Sequence, residues 1–278
     1  MRMLRTVTAH ITATIRSTAE LALSVVAAGG AERAEEELTI RVDGRELRGA
    51  EVAGSGGARW QLLTDVPAGQ LVLDYRAVLT SGGAAAPLTP GERISYLRPS
   101  RYADVDRLGS TARALFPAHL SPNGDLDGGW DVALMHAVRD YVAEQTAYVV
   151  GSSRVTDGAS DTYVARRGVC RDFGHLTIAL LRARGIPARL VSAYAPGLQP
   201  MDFHAVVEAW VAGAWHVVDP TRLAPRHSLV RIATGTDAAE TAFLTTHSGD
   251  LRFGTLAVTA TTEGPLPQDD HTELVRIA

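Results

Sequence analysis

One cysteine stands in the 278 residues, so no intramolecular disulfide can form, and a reducing, cytoplasmic setting is the simpler expectation. Long apolar runs are missing as well. The longest, Leu21 to Ala28, is interrupted by Ser24 and is far too short to span a bilayer. Glu20 stands directly before it and no compact basic segment precedes it, so it reads as a strand and not as a signal peptide. Neither sign of charge dominates. Lys and Arg number 27 against 31 Asp and Glu, and a net charge of −4 gives no electrostatic reason to expect nucleic acid or an anionic membrane as partner. There is no His-Glu-x-x-His or paired-cysteine zinc pattern and no glycine-rich phosphate loop. Asn123-Gly124-Asp125-Leu126-Asp127-Gly128 imitates the front of a calcium loop. Leu134, however, occupies the twelfth position, where such loops need a bidentate Glu.

What is present is an ordinary globular balance, 46% hydrophobic and 21% charged, sufficient to bury a core without staples. The first hundred residues read as β-structure. Val7 to Thr12 and Leu38 to Val42 alternate with period two, and Trp60 to Val66 and Leu71 to Leu79 supply two more strands. Asp43-Gly44, directly after Val42, favours the tight turn of a hairpin. A composition shift at Arg98-Pro99-Ser100-Arg101-Tyr102 divides the chain into a β-rich N-terminal domain over 1–97, a sandwich or half-barrel, and a second domain over 98–278 that includes the C-terminal strands. In the second domain Trp130 to Thr146 is expected to be helical, with Val132, Met135, Val138, Tyr141 and Val142 at helical spacing.

The segment around the cysteine carries the chemistry. Phe173, Leu176, Leu180 and Leu181 fall on one helical stripe, and Arg182, Arg184, Gly185 and Pro187 form a stop signal. Cys170 therefore sits in the first turn of a helix, where free backbone N–H groups and the positive end of the macrodipole stabilise a thiolate. Asp172 complements that helix N-terminus, and His175 is expected to be a surface or packing residue. A lone cysteine is by default an inert buried residue. What argues otherwise lies downstream. Ala188 to Tyr194 reads as a strand, and His204 to Val211 and Trp215 to Asp219 form a hairpin around Gly213. With Trp210 opposite Trp215, Asp219 lies opposite Val206, on the sheet face of His204 and diagonal to it. A slip of one residue would put the pair on opposite faces. Cys170 as nucleophile, His204 as general base and Asp219 as the group that orients the imidazole form an acyl-transfer triad.

At these residues the chain resembles the bacterial transglutaminase-like superfamily. The resemblance is carried by Gly168-Val169-Cys170-Arg171-Asp172-Phe173, Leu181 to Arg189, Asp202-Phe203-His204-Ala205 and Trp215 to Thr221, and runs from about Trp130 to about Gly249. It implies an α+β, papain-like core in which a cysteine-bearing helix packs on an antiparallel sheet bearing the histidine and aspartate. It also implies thioester chemistry on amides without metal or organic cofactor, a peptide or protein amide as substrate, and an aromatic oxyanion donor upstream of the cysteine. Tyr148 is the candidate for that donor, with a core tyrosine as the alternative; the backbone N–H of Cys170 is the other donor. Members of the superfamily include hydrolases, enzymes that transfer amines to protein glutamine, and copies without activity that serve as binding or scaffold modules. Hydrolysis is expected here because it requires only water as the second substrate.

Overall fold

The computed structural model describes residues 3–81, 86–117 and 129–277; the calcium-like stretch 123–128 lies outside them. The chain begins with seven strands: β1 (Arg5–Ile15), β2 (Ala19–Leu23), β3 (Glu32–Val42), β4 (Arg45–Leu47), β5 (Ala50–Ala53), β6 (Arg59–Val66) and β7 (Gly69–Ser81). In β1 the alternation predicted from sequence is literal: Val7, Ala9, Ile11, Ala13 and Ile15 are all buried while the intervening residues are not. Asp43 and Gly44 both take positive φ, 48° and 79°, the backbone that closes a two-residue hairpin without splaying its strands. The Leu21–Ala28 run is strand only as far as Leu23. Val25 to Ala28 stay buried as the chain passes from one sheet to the other.

A helical middle follows: α1 (Pro90–Ser95), α2 (Val105–Leu115), α3 (Trp130–Gln145), the two-residue strand β8 (Ala147–Tyr148), α4 (Ala159–Ala165), the equally short β9 (Arg167–Gly168) and α5 (Cys170–Ala183). Thr89 and Glu92 form a reciprocal capping box that starts α1. The remaining elements are β10 (Ala188–Tyr194), β11 (Phe203–Val211), β12 (Ala214–Val218), β13 (Val230–Gly235), α6 (Ala238–Thr241), β14 (Leu244–Ser248) and β15 (Leu251–Thr262). No helix among the described residues is long and apolar enough to cross a membrane.

Strands β15-β1-β7-β3-β4 and β14-β2-β6-β5 form two antiparallel sheets whose inner faces share one core, so the β-rich region is a sandwich. A third antiparallel sheet, β12-β11-β10-β13, carries α5 on one face. Helix α5 is the central element of this half. Every residue from Asp172 to Arg182 is buried, far more than the single stripe expected. It approaches β10 closely at Gly174, where an added Cβ would lie 2.6 Å from Leu190. Arg182, part of the expected stop signal, is also buried and donates to the carbonyls of Ala188, Arg98 and Thr236, tying three segments to the end of the helix.

The C-terminal strands correct the expected division of the chain. Instead of extending the 98–278 domain, β15 pairs with β1 from Arg5↔Thr262 to Ile15↔Leu251, and β14 pairs with β2. The returning chain thereby covers the backbone edges that β1 and β2 would otherwise leave bare. Tyr194, Val230, Ile232 and Ala233 of the third sheet are also buried in the sandwich core, and the Tyr194 hydroxyl donates to the Val25 carbonyl at 2.7 Å. The two halves therefore meet through packed side chains and not through a linker alone.

Candidate active site

Cys170 is the first residue of α5 and is half-buried. The start of the helix is fixed by Asp172, whose Oδ2 accepts from the Val169 N–H at 2.8 Å, while Arg171 engages Oδ1 at 2.9 Å. This is the capping role expected of Asp172. The turn before it has room only for glycine at 168, since a Cβ there would lie 2.6 Å from that of Asp172.

The hairpin register is the one on which the pair depends. Trp210 lies opposite Trp215 and Val207 opposite Val218, so Asp219, one step beyond the ladder, falls diagonal to His204. His204 Nε2 and Asp219 Oδ2 are 2.8 Å apart, and both side chains are buried. The other carboxylate oxygen, Oδ1, accepts from the Thr221 N–H at 2.9 Å and from its hydroxyl at 2.7 Å. With Nε2 occupied by Asp219, Nδ1 is the nitrogen left for Cys170, and no hydrogen bond engages it. Burial opposes a charge on His204. The Asp219 charge, the hydrogen bond to it and the neighbouring Cys170 thiol outweigh burial and raise its pKa above the ordinary imidazole value. Burial likewise disfavours the Asp219 carboxylate, and the charge of His204 with the hydrogen bonds from His204 and Thr221 holds its pKa below the usual range.

Tyr148 reaches the site through a two-residue parallel bridge, Tyr148↔Gly168, reinforced by the Val149 N–H donating to the Gly168 carbonyl at 2.9 Å. Of its two expected settings the core one is not found. Its side chain is 41% exposed, tilted against Phe173, with its hydroxyl beside the thiol and the backbone N–H of Cys170. Partial burial and the Cys170 charge push its pKa up to about 12, so at neutral pH it is a proton donor.

His175 takes the packing alternative of the two expected. It is fully buried, stacked on Tyr102 with centroids 5.1 Å apart, and its Nε2 accepts from the Ala238 N–H at 3.2 Å. Two features escaped sequence reasoning. One is the buried Glu208, on the same strand as His204, held by Arg231 at 2.5 Å and by Arg189 Nε at 2.8 Å; only its place in a largely apolar strand signalled it. The other is a cavity of about 470 Å³ bordered by Cys170 and His204. Among the described residues no three His, Cys, Asp or Glu side chains gather as metal ligands do.

A helix-borne thiol facing a sheet-borne His–Asp pair defines a transglutaminase-like core. Residues 130–220 match the family model of the transglutaminase-like superfamily. A candidate cysteine protease from Cytophaga hutchinsonii is similar over the whole length: 29% identical, TM-score 0.81, covering 99% of this chain and 96% of that one. An uncharacterized protein of Mycobacterium leprae, ML0607, is 39% identical over 85 residues, which are 27% of this chain and 29% of that protein. Rv2569c, an uncharacterized protein of Mycobacterium tuberculosis, is 35% identical over 97 residues, 32% of this chain and 31% of that one. The match thus spans less than a third of the length of these mycobacterial relatives.

Proposed function

We propose that this chain hydrolyses peptide or amide bonds through a Cys170 thioester, with His204 as general acid–base and Asp219 orienting it. The observation that carries the reading is the 2.8 Å bond from His204 Nε2 to Asp219 Oδ2, which leaves Nδ1 alone to serve the thiol at the N-terminus of α5. The Cys170 proton passes to Nδ1 as sulfur attacks the amide carbonyl. The oxyanion is received by the Cys170 backbone N–H and the Tyr148 hydroxyl. Collapse of the tetrahedral species breaks the C–N bond, and His204 returns its proton to the leaving amine. Water, deprotonated by the same imidazole, then cleaves the thioester to a carboxylic acid and the free thiol.

Hydrolysis is preferred to amine transfer because water needs no second binding site. The whole-length similarity to the candidate cysteine protease of C. hutchinsonii supports the same choice. A peptide or protein is the proposed partner, with neither nucleic acid nor membrane required. A cytoplasmic setting completes the proposal, supported by a lone thiol that must stay reduced to react; fractionation of producing cells checks it.

The test is a glutamine-containing peptide library incubated with a labelled primary amine. Free acid release that disappears in Cys170→Ala is expected. Amine incorporation at the expense of acid would overturn hydrolysis in favour of transfer, and no thiol-dependent product of either kind would leave a non-catalytic module.

A further inference from the structure

Beside the Cys170–His204 pair lies the cavity of about 470 Å³, within the range of sites that hold small ligands or large side chains. Its floor is the helix-side face of the third sheet, with Leu190 and Ser192 of β10 beside Phe203 and Ala205 of β11. Its outer wall is Ala242, Phe243 and Leu244, from the connection that leaves the catalytic half and enters the sandwich. Among the described residues of the lining, Arg171 is the one side chain of fixed charge. That guanidinium is already engaged by Asp172 Oδ1 at 2.9 Å, the Arg154 carbonyl at 2.9 Å and Ser153 Oγ at 3.2 Å. An acidic substrate side chain would have to share that guanidinium with Asp172, a basic one would meet its positive charge, and an apolar one would bury against carbon.

The outer wall is held from both sides. On the catalytic side, Asp237 accepts from the Tyr102 N–H at 2.8 Å and from the Ala239 N–H at 2.9 Å, and the Ala238 N–H donates to the buried His175. On the sandwich side, the Ser24 N–H donates to the Phe243 carbonyl at 2.9 Å, and Leu244 pairs with Leu23. Rings then run outward in contact, Phe203 to Phe243 at 5.5 Å and Phe243 to Phe253 at 5.8 Å, ending on an exposed face of β15.

We propose that this cavity binds a large apolar side chain, aliphatic or aromatic, flanking the amide that Cys170 attacks, and that the β-sandwich is a specificity element because it supplies and braces the outer wall. The proposal rests on the thioester reading above and adds the substrate class. A pocket already walled on two sides discriminates by contact area, and such contacts give roughly 10- to 200-fold between a side chain that fills the space and one that does not.

The experiment labels Cys170, the chain's only thiol, with two series of chloromethyl ketones, acetyl-X-Gly and acetyl-Gly-X, where X is Gly, Leu, Phe, Asp or Lys. Iodoacetamide serves as the reagent without a side chain. In at least one series Leu or Phe is expected to label 10-fold or more faster than Gly, with Asp and Lys no faster than Gly. Ala205→Trp, which fills the cavity, is expected to bring the Phe-to-Gly ratio below about threefold. Ala242→Trp fills it from the exposed rim should the first variant fail to fold. Iodoacetamide labelling that depends on His204, together with a flat or charge-preferring series, overturns the pocket and leaves the triad standing. Loss of iodoacetamide reactivity in the folded wild type overturns both.

Discussion

Replacing Asp219 by asparagine removes one charge and almost no volume, so its effect can be worked out from the neighbouring donors. Oδ1 accepts from the Thr221 backbone N–H at 2.9 Å and the Thr221 hydroxyl at 2.7 Å. The hydroxyl can rotate, but the backbone N–H cannot become an acceptor. In Asp219→Asn the amide oxygen must therefore face Thr221, and the NH₂ must face His204 Nε2. That nitrogen becomes an acceptor, the imidazole proton moves to Nδ1, and Nδ1–H opposes the thiol instead of taking its proton. Loss of the charge-assisted bond alone is worth about 1.5–3 kcal/mol, or roughly 10- to 100-fold in rate. The inverted tautomer extends the loss toward about 10⁴ in turnover, as for the equivalent change in serine proteases. The assay is the second-order rate of Cys170 alkylation by iodoacetamide at pH 7, followed by mass, with a thermal melt to establish that the variant is folded. A fall of at least tenfold in alkylation, and an Nδ1–H tautomer by ¹⁵N NMR, are expected. A folded variant that alkylates within threefold of wild type would refute the claim that the His204–Asp219 bond governs the thiol.

Tyr148→Phe is expected to lower turnover by about 10²-fold, the usual cost of one oxyanion donor, while iodoacetamide alkylation, which forms no oxyanion, falls far less; equal losses in both would assign Tyr148 to holding the thiol. Glu208→Gln leaves Arg231 buried without its counter-charge and Arg189 with only Glu92 at 3.9 Å, and a cost of about 3–5 kcal/mol is expected, measurable as a lower midpoint in urea. Burial disfavours the Glu208 carboxylate, but Arg231 and Arg189 hold its pKa down to about 2. Its contribution is therefore present above the unfolded value of about 4.3 and is lost as pH falls through about 2; wild type should lose stability across that window more steeply than Glu208→Gln, and parallel curves would count against the ion-pair account. Gly168→Ala drives a Cβ to 2.6 Å from that of Asp172, so about 1–3 kcal/mol of overpacking is expected, together with slower alkylation as the cap and the Tyr148 bridge shift; a stable, fully reactive variant would show that the turn can relax.

The local pieces of the site were legible because short-range rules dictate them. A glycine, an acidic residue two past the cysteine and an apolar stripe ended by Gly185 and Pro187 define a helix start and stop wherever they occur. Apolar hairpin strands with Trp210 and Trp215 flanking the turn admit one register, since the alternative exposes the core face. Both therefore appear in the fold at the predicted residues, and the register joins His204 to Asp219. Buried Glu208 was less readable. A carboxylate inside an apolar strand announces that partners exist, but Arg189 and Arg231 come from strands paired in three dimensions, and no spacing along the chain names them.

The amino-acid sequence by itself determined which residues begin a helix, which alternate in strands and which hairpin register is possible, because each follows from contacts within a few residues or across one turn. Tertiary structure alone decided where those pieces meet. Strands 244–262 return to β1 and β2 because exposed edges seek backbone partners from any part of the chain, and strand propensity does not say which. That return carries Phe243 and Leu244 to the side of Cys170, some seventy residues earlier in the sequence. The reacting groups could be read along the chain; the shape of the space beside them exists only once distant segments have packed.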